Sequence, residues 1–280
     1  CYKQKLIMKL IDCFMYFDED HLLDVRLHTL FKYVDRFVIV EADIDHAGNE
    51  RKPKFDIKKF SKFKSKINYI LLNDLPRHNS FYKKNWGPAW RRENMQREAL
   101  ERGYQDCDGN DLIMVSDLDE IPNPSKLNQF TNNCKIGCFV QKNFLLKFNL
   151  VNVTMPLWYG TRICKKKYLI NPQWLREIKA IKRPFYKFYK PKFDKFIFEG
   201  GWHFSSVKSP EGIYQKFNSY AEQQFNTKEY KNIDFIKEKI EKREDLFSRD
   251  HNFKVIKIDS TFPSYIQENE CKFKDFIYSN

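Results

Sequence analysis

Four aspartate pairs in this chain have the spacing Asp-x-Asp. One of them, Asp117-Leu118-Asp119-Glu120, follows directly on the apolar run LIMVS. In extended backbone the side chains of residues i and i+2 share a face, so Asp117 and Asp119 can converge on one cation. Two hard oxygen ligands, with room left for phosphate oxygens, suit Mn²⁺ or Mg²⁺ holding a nucleotide diphosphate. The place fits too, because ligands of open α/β sheets bind beyond the carboxyl ends of the strands. With 20 Asp in the chain, the spacing alone carries little. Asp18/Asp20 sits at a helix start and reads as capping. Asp106/Asp108 lies in a turn beside Gly109, and Asp43/Asp45 stays a rival that also follows a strand, with His46 next to it. The bland reading of Asp117/Asp119 is a solvated turn; the strand before it favours the cation.

Two further segments bear on the same chemistry. In Trp90-Arg91-Arg92-Glu93-Asn94-Met95-Gln96-Arg97 a helix would pair Glu93 with Arg97 and set Asn94 one turn from Arg97. That is either a salt-bridged surface helix or a set of groups reaching a diphosphate or a base. In Glu199-Gly200-Gly201-Trp202-His203-Phe204-Ser205 the paired glycines permit close backbone approach or positive φ. His203 there is a core histidine or a ligand, with Glu199 nearby.

The elements that must position these residues follow from apolar spacing. Leu6 to Ile11 reads as a first strand, and Asp18-Glu19-Asp20 as an acidic helix start. Leu23, Leu27, Leu30 and Val34 form one helix face. Phe37 to Val40 is a buried strand ending at Glu41, and Ile67 to Leu72 is another. Arg91 to Arg102 is a helix stopped by Gly103, and Leu112 to Val115 is the strand before Asp117. The order β-α-β-β-α-β predicts an α/β fold with a mostly parallel, helix-covered sheet. Gly137 to Leu150 reads as a hairpin or sheet edge, and 211–225 and 233–247 as helices. With no clear linker, residues 1–280 are expected to form a single domain. Its nucleotide-binding half would be 1–130 and its acceptor-side half 131–280.

Composition narrows the function classes. Fifty Lys and Arg against 37 Asp and Glu give a net charge of +13, which allows nucleic acid, a membrane surface or an anionic small substrate. Aromatics at 16% supply core material and argue against disorder. No apolar run approaches the ~18 residues of a membrane span. Seven scattered Cys form no disulfide framework, and Cys134/Cys138 lacks a second pair for zinc, so reduced thiols are expected. Residues 1–11 are too short and charged for a signal peptide, and Met8 begins a plausible natural start. Asn152-Val153-Thr154 is the one glycosylation sequon and weak evidence for secretion.

VDRFVIVEAD with Gly48 and KPKF, then WRRENMQR, DLIMVSDLDEIP and GGWHFS, in this order, resemble family 17 glycosyltransferases. These are β-1,4-N-acetylglucosaminyltransferases, typified by the addition of the bisecting GlcNAc to N-glycans. IDCFMYFDEDHLLDVRLHTL also resembles the family's opening, and the likeness spans roughly residues 7 to 227. It implies a GT-A-like nucleotide-binding sandwich, a metal-binding D-x-D and a C-terminal acceptor half. By the resemblance Asp117 and Asp119 are the D-x-D, with Asp117 also near the donor. Arg92, Asn94 and Arg97 fall on the donor side, and Glu41 joins them by position at the end of a strand. Trp202 and His203 match the late motif, with His203 implied as a metal ligand and Trp202 on the acceptor side. Where the family carries a His and a Glu, this chain has Glu222 and Gln224, so Glu222 is an acceptor candidate and the acceptor can differ from an N-glycan core.

The reaction so implied moves a sugar, GlcNAc from UDP-GlcNAc being favoured, to a glycan hydroxyl with inversion. A carboxylate must serve as general base, and Glu120, Glu199 and Glu211 are the candidates. Glu211 follows Ser209-Pro210 at a helix start, where compensation of the helix dipole is the simpler role. Trp158, Tyr159, Trp174 and Trp202 suit stacking on sugar faces or an ordinary core. Two alternatives stand beside this reading. One is a nucleic-acid or polyanion-binding module, suggested by the basic-aromatic stretch 179–195. The other is a different nucleotide-dependent transferase, although no phosphate-binding G-x-x-x-x-G-K-[ST] loop is present. The composition leans to a soluble bacterial or viral protein of the cytoplasm over an excised Golgi-luminal domain.

Overall fold

The computed structural model describes residues 8–77, 87–181, 190–219, 232–246 and 249–279. Its elements run β1 (Leu10–Met15), α1 (Asp20–Leu30), β2 (Arg36–Ala42), β3 (Ile67–Leu72), α2 (Pro88–Glu98), β4 (Leu112–Ser116) and β5 (Glu120–Pro122). They continue β6 (Ile136–Leu145), β7 (Leu150–Asn152), β8 (Leu157–Lys165), α3 (Pro172–Glu177), β9 (Lys195–Ile197) and β10 (Gly201–Ser205). Then follow α4 (Pro210–Ser219), α5 (Ile233–Lys242), β11 (Phe253–Val255) and α6 (Ser264–Glu268).

The expected β-α-β-β-α-β order is present. Strands β3, β2, β1 and β4 lie side by side and parallel. Alternate residues feed two cores, as the period of a strand requires. Phe14, Phe37 and Ile39 pack into an aromatic-rich cluster with Leu23 and Leu27 of α1. Cys13, Val38 and Val40 pack on the opposite face with Ala99 and Leu100, beyond α2. Helix α2 starts earlier than its composition suggests, because Gly87 precedes Pro88 and proline is preorganised for a first helical position. It gives way at Ala99–Gly103 to a 3₁₀ turn.

Three expectations need correction. The first described strand is Leu10–Met15; of the expected Leu6 to Ile11, residues 6 and 7 lie outside the described residues and the strand runs on past Ile11 to Met15. Asp12 interrupts the apolar run in the sequence, yet it is fully buried at the centre of β1 because Arg26 neutralises it. The sheet is mixed and not mostly parallel. Its order is β11-β7-β6-β8-β4-β1-β2-β3, and every pair from β4 through β8, β6 and β7 to β11 is antiparallel. The connections joining β6, β7 and β8 are short, and short connections favour antiparallel neighbours. Strand β6 forms a hairpin with β7, one of the two expected readings, but is no edge, since it also pairs in parallel with β9 and β10. Farther on, α5 stops at Arg243, in the left-handed region at φ 59°, short of the expected 247. With α4 it covers a small core of Leu145, Leu150, Ile213 and Ile236. None of the free cysteines is disulfide-bonded, and four are buried. No helix among the described residues is long and apolar enough to cross a membrane.

Arg26 is the join between helix and sheet. Its Nε and Nη2 donate to both oxygens of Asp12 at 2.8 and 2.6 Å, and Nη2 also to Ser116 Oγ at 2.6 Å. Nη1 donates to the carbonyl oxygens of Asp117, Leu118 and Glu120 at 3.0–3.1 Å. Both Arg26 and Asp12 are fully buried. Breaking such a pair leaves an uncompensated charge in the core. Arg26→Leu is therefore expected to lower unfolding free energy by about 3–5 kcal/mol in urea denaturation; a loss below about 1 kcal/mol would show the pair to be dispensable.

Candidate functional site

A cavity of about 380 Å³ opens beyond the carboxyl ends of β1, β4 and β10. Met15, Asp117 and Ser205, at or just past those ends, line it, together with Asp119 and His203. The stretch 117–119 is a turn and not extended chain, closed by Glu120 N donating to Asp117 O at 3.1 Å. The expected i, i+2 convergence on one face therefore does not apply, and the two aspartates take separate partners.

Asp117 is held by two guanidinium groups. Arg97 Nη2 approaches its Oδ1 at 3.3 Å, and Arg176 Nη2 donates to its Oδ2 at 2.9 Å. Arg176 also binds Glu120 through both terminal nitrogens, at 2.6 and 2.9 Å. Trp158 Nε1 donates to the same carboxylate at 2.8 Å. Burial alone would raise the pKa values of Asp117 and Glu120, but Arg176, helped by Arg97 at Asp117, holds both below the usual carboxylate range. Arg176 is raised in turn, burial being outweighed by the two carboxylates.

Asp119 has no such clamp. Burial, then the charges of Asp117, Glu120 and Glu19, push its carboxyl up to about 7 against the opposing pull of Lys216. Its neighbour is His203, with Nε2 3.8 Å from Oδ2. Strand register places His203 opposite Glu120 on β5 and Asn143 on β6. His203 Nδ1 meets Asn143 Oδ1 at 3.0 Å, and Asn143 Nδ2 donates to the Met155 carbonyl at 2.9 Å. That second bond orients the amide, so Nδ1 carries the proton and Nε2 presents its lone pair towards Asp119. Burial pushes the imidazole down to about 4, so it is neutral at physiological pH. An imidazole lone pair facing a carboxylate, fixed from behind by an amide, is a donor set that fits a divalent cation. The nitrogen suits Mn²⁺ better than Mg²⁺. Among the described residues no three His, Cys, Asp or Glu side chains are gathered to hold a metal by themselves. The remaining ligands would come from phosphate or water.

The structure separates the other expected residues from the cavity. Glu41 is fully buried and saturated by Lys54 N, Phe55 N, Tyr69 Oη and Arg51, at 2.7–3.1 Å. It fastens the chain after β2. Arg92, also buried, donates to the carbonyl oxygens of Pro76 and His46 at 2.8 and 3.0 Å. Asn94 is half-buried on α2 and does not line the cavity. Glu120 is locked as described. Glu199 sits in the turn before β10 at φ 52°, 78% exposed and paired with Lys126. Glu211 is exposed on the first turn of α4, where its own backbone N–H and then Ser209 lower its pKa, as dipole compensation predicts. None of the three expected bases lines the cavity.

Trp202 faces the core and anchors the C-terminal segment through Nε1 to the Thr261 carbonyl at 2.9 Å. The alternation along β10 sends Trp202 and Phe204 inward and His203 and Ser205 to the cavity. Gly201 makes this possible. At φ 127°, a Cβ there would lie 2.1 Å from the Ile121 carbonyl oxygen. Glu222 lies outside the described residues, as do residues 182–189 of the basic-aromatic stretch 179–195. At its described end Phe193 is buried against Phe196 and under Arg162. The rival Asp43/Asp45 binds no common site with His46: Asp43 pairs with Arg77, and Asp45 caps its own loop. Asn152 of the sequon is buried in the cavity wall, with Oδ1 accepting from Met155 N at 2.8 Å.

Arg176, Asn143 and Glu19 were missed in the sequence. Arg176 comes from a short helix about 60 residues after Asp117, and nothing in PQWLRE marks it. Asn143 is one polar residue in a long buried strand. Glu19 was absorbed into the acidic helix start, where its chemistry is indistinguishable from capping.

The model of glycosyltransferase family 17 matches residues 2–274, nearly the whole chain. No curated protein matches it.

The Arg176 clamp has a pH signature. Both carboxylates titrate lower in the folded state than in the unfolded chain, so their contribution is present above about pH 4 and fades as pH falls. Arg176→Gln is expected to be clearly destabilised at pH 7, with the gap to the parent protein narrowing at pH 3. Solvent screens the part due to Asp117, which is 40% exposed, so Glu120, 1% exposed, dominates. Urea titrations at the two pH values check this; an equal gap at both would show that Arg176 acts through packing alone.

Proposed function

The chain belongs to glycosyltransferase family 17 and is an enzyme that transfers a glycosyl group; from this premise we propose that the Asp117–Asp119 cavity holds the nucleotide-sugar donor. Membership implies such a donor and a glycan acceptor. We read the fold as GT-A-like, on the strength of the parallel set β3-β2-β1-β4 with the D-x-D at its carboxyl edge. The observation that carries the proposal is the facing pair of Asp119 and His203 beside the doubly clamped Asp117. UDP-GlcNAc is the favoured donor because of the motif resemblance, and transfer is read as inverting.

In this reading Asp119 and His203 hold Mn²⁺ or Mg²⁺, which when bound neutralises charge on the diphosphate leaving group. The protein's own part is electrostatic. Arg97 and Arg176 are fixed by Asp117, Glu93 and Glu120 before any ligand arrives, so positive charge is preorganised where the leaving group's charge grows. Of the carboxylates lining the cavity, Asp117 and Glu93 are tied to arginines and Asp119 faces His203. Glu19 is left for the acceptor side. Burial raises its pKa, but Lys208, 3.0 Å away, outweighs burial and keeps it ionised. Kept ionised, it orients the acceptor hydroxyl by accepting its hydrogen bond while the new bond forms. The net charge of +13 is then mostly a lysine-rich surface that attracts an anionic donor.

Thermal shift with UDP-, GDP- and CMP-sugars, with and without Mn²⁺, tests the donor site. UDP-GlcNAc with Mn²⁺ is expected to stabilise the protein by about 2.7 kcal/mol at a hundred times its Kd. Asp119→Asn and His203→Ala should remove the Mn²⁺-dependent part. Full activity in excess chelator would eliminate the metal. Glu19→Gln is expected to cost up to about 10²-fold in turnover of the acceptor with donor binding kept, and unimpaired turnover would return Glu19 to a structural ion pair.

A further inference from the structure

The loop after β2 is built to show one side chain to the cavity. Asp45 accepts from Gly48 N, Asn49 N and Asn49 Nδ2 at 2.8–2.9 Å, and Ile44 bridges Glu50 across the loop. Gly48 has φ 100°, and a Cβ on it would strike the Arg92 guanidinium at 2.7 Å. Arg92 also holds the His46 carbonyl, and Arg51 ties Ala42 O to Phe17 O. From this rigid loop His46 lines the cavity, beside Tyr16 and Phe17.

The tautomer of His46 follows from its neighbour. His46 Nε2 meets Gln96 Oε1 at 2.9 Å. Gln96 is 5% exposed, and its Nε2 donates to the Val40 carbonyl at 3.2 Å, which sets the amide's orientation. His46 Nε2–H is therefore the donor, and Nδ1 is left as an acceptor with no hydrogen-bond partner among the described residues. It is not a buried orphan, so solvent or a ligand reaches it.

Position suggests what it meets. Asp117 follows β4 and His46 follows β2, with β1 between them. Two strand spacings, about 10 Å, separate β4 from β2, which is the scale of the reach from a nucleobase to its diphosphate. We propose that His46 Nδ1 reads the donor's base by accepting a ring imino N–H, selecting uracil or guanine over cytosine or adenine. This rests on the donor-site reading above. Cytosine and adenine carry an acceptor nitrogen at that edge. Two acceptors would face each other unsatisfied, and a site built to pair a polar group rejects the analogue that lacks the complement.

Calorimetric titration of the full chain with UDP, CDP, GDP and ADP in the presence of Mn²⁺ tests it. The parent protein should bind UDP, GDP or both at least about tenfold more tightly than CDP and ADP; the UDP and GDP arms tell uracil from guanine. His46→Phe and His46→Ala should each bring the preferred nucleotide down to the level of CDP and leave CDP unchanged. Either variant suffices if the other fails to fold. A preference that persists in both variants, or a parent protein that binds CDP as well as UDP and GDP, overturns the inference alone. Failure to bind any nucleoside diphosphate overturns the donor-site reading and this inference with it.

Discussion

A guanidinium sealed from solvent holds the site in place. Arg26 reaches from α1 to Asp12 in the middle of β1, and from there to three carbonyl oxygens of the turn that follows β4. A turn at the end of a strand has carbonyl groups that must find donors or face water. Here one side chain supplies three of them and Phe204 N the fourth, so the core sets the backbone of 117–120 together with the turn's own bond from Glu120 N to Asp117 O. The conformations of Asp117, Asp119 and Glu120 all descend from that contact. Removing either charge would disturb the helix, the strand and the turn together.

Around this centre arginines bind nearly every carboxylate. Arg51 holds Glu41, Arg97 holds Glu93, and Arg176 spans Asp117 and Glu120. Arg92 fastens loops through carbonyl oxygens. The planar fork suits such multiple pairing in a way that lysine does not. Asp119 has no arginine against it, and burial first, then the neighbouring carboxylates, raises its pKa. A carboxylate kept among like charges, opposite a histidine lone pair, gains most from an arriving cation. The site's electrostatics are thus uneven by construction, with positive charge fixed at Asp117 and a deficit of it at Asp119.

The strands and helices of the first half were legible because apolar spacing reflects burial directly. The first strand was ended too soon for the same reason: Asp12 reads as polar until Arg26 is known to lie against it. The second half was less legible. Its strands are antiparallel, short or entered from several sides, and β6 has neighbours drawn from 150 to 205. No local pattern encodes that. Glu41, Arg92, Glu120 and Trp202 carry the residue types of a site, and each is engaged by partners in the frame. Buried charge marks both catalysis and architecture, and residue type does not tell them apart.

The sequence by itself determined the alternation of strands and helices up to Asp117, the placement of that residue beyond a strand, and a motif order that points to a family. Those properties are local, or depend on order alone. Tertiary structure decided which carboxylates share the cavity, that Arg176 neutralises Asp117 there and Glu120 behind it, and that His203 turns a lone pair to Asp119. It also decided that His46 presents an acceptor. Each depends on distances between segments tens of residues apart, and on hydrogen bonds that fix an amide or an imidazole in one orientation, and neither is written in any one stretch of chain.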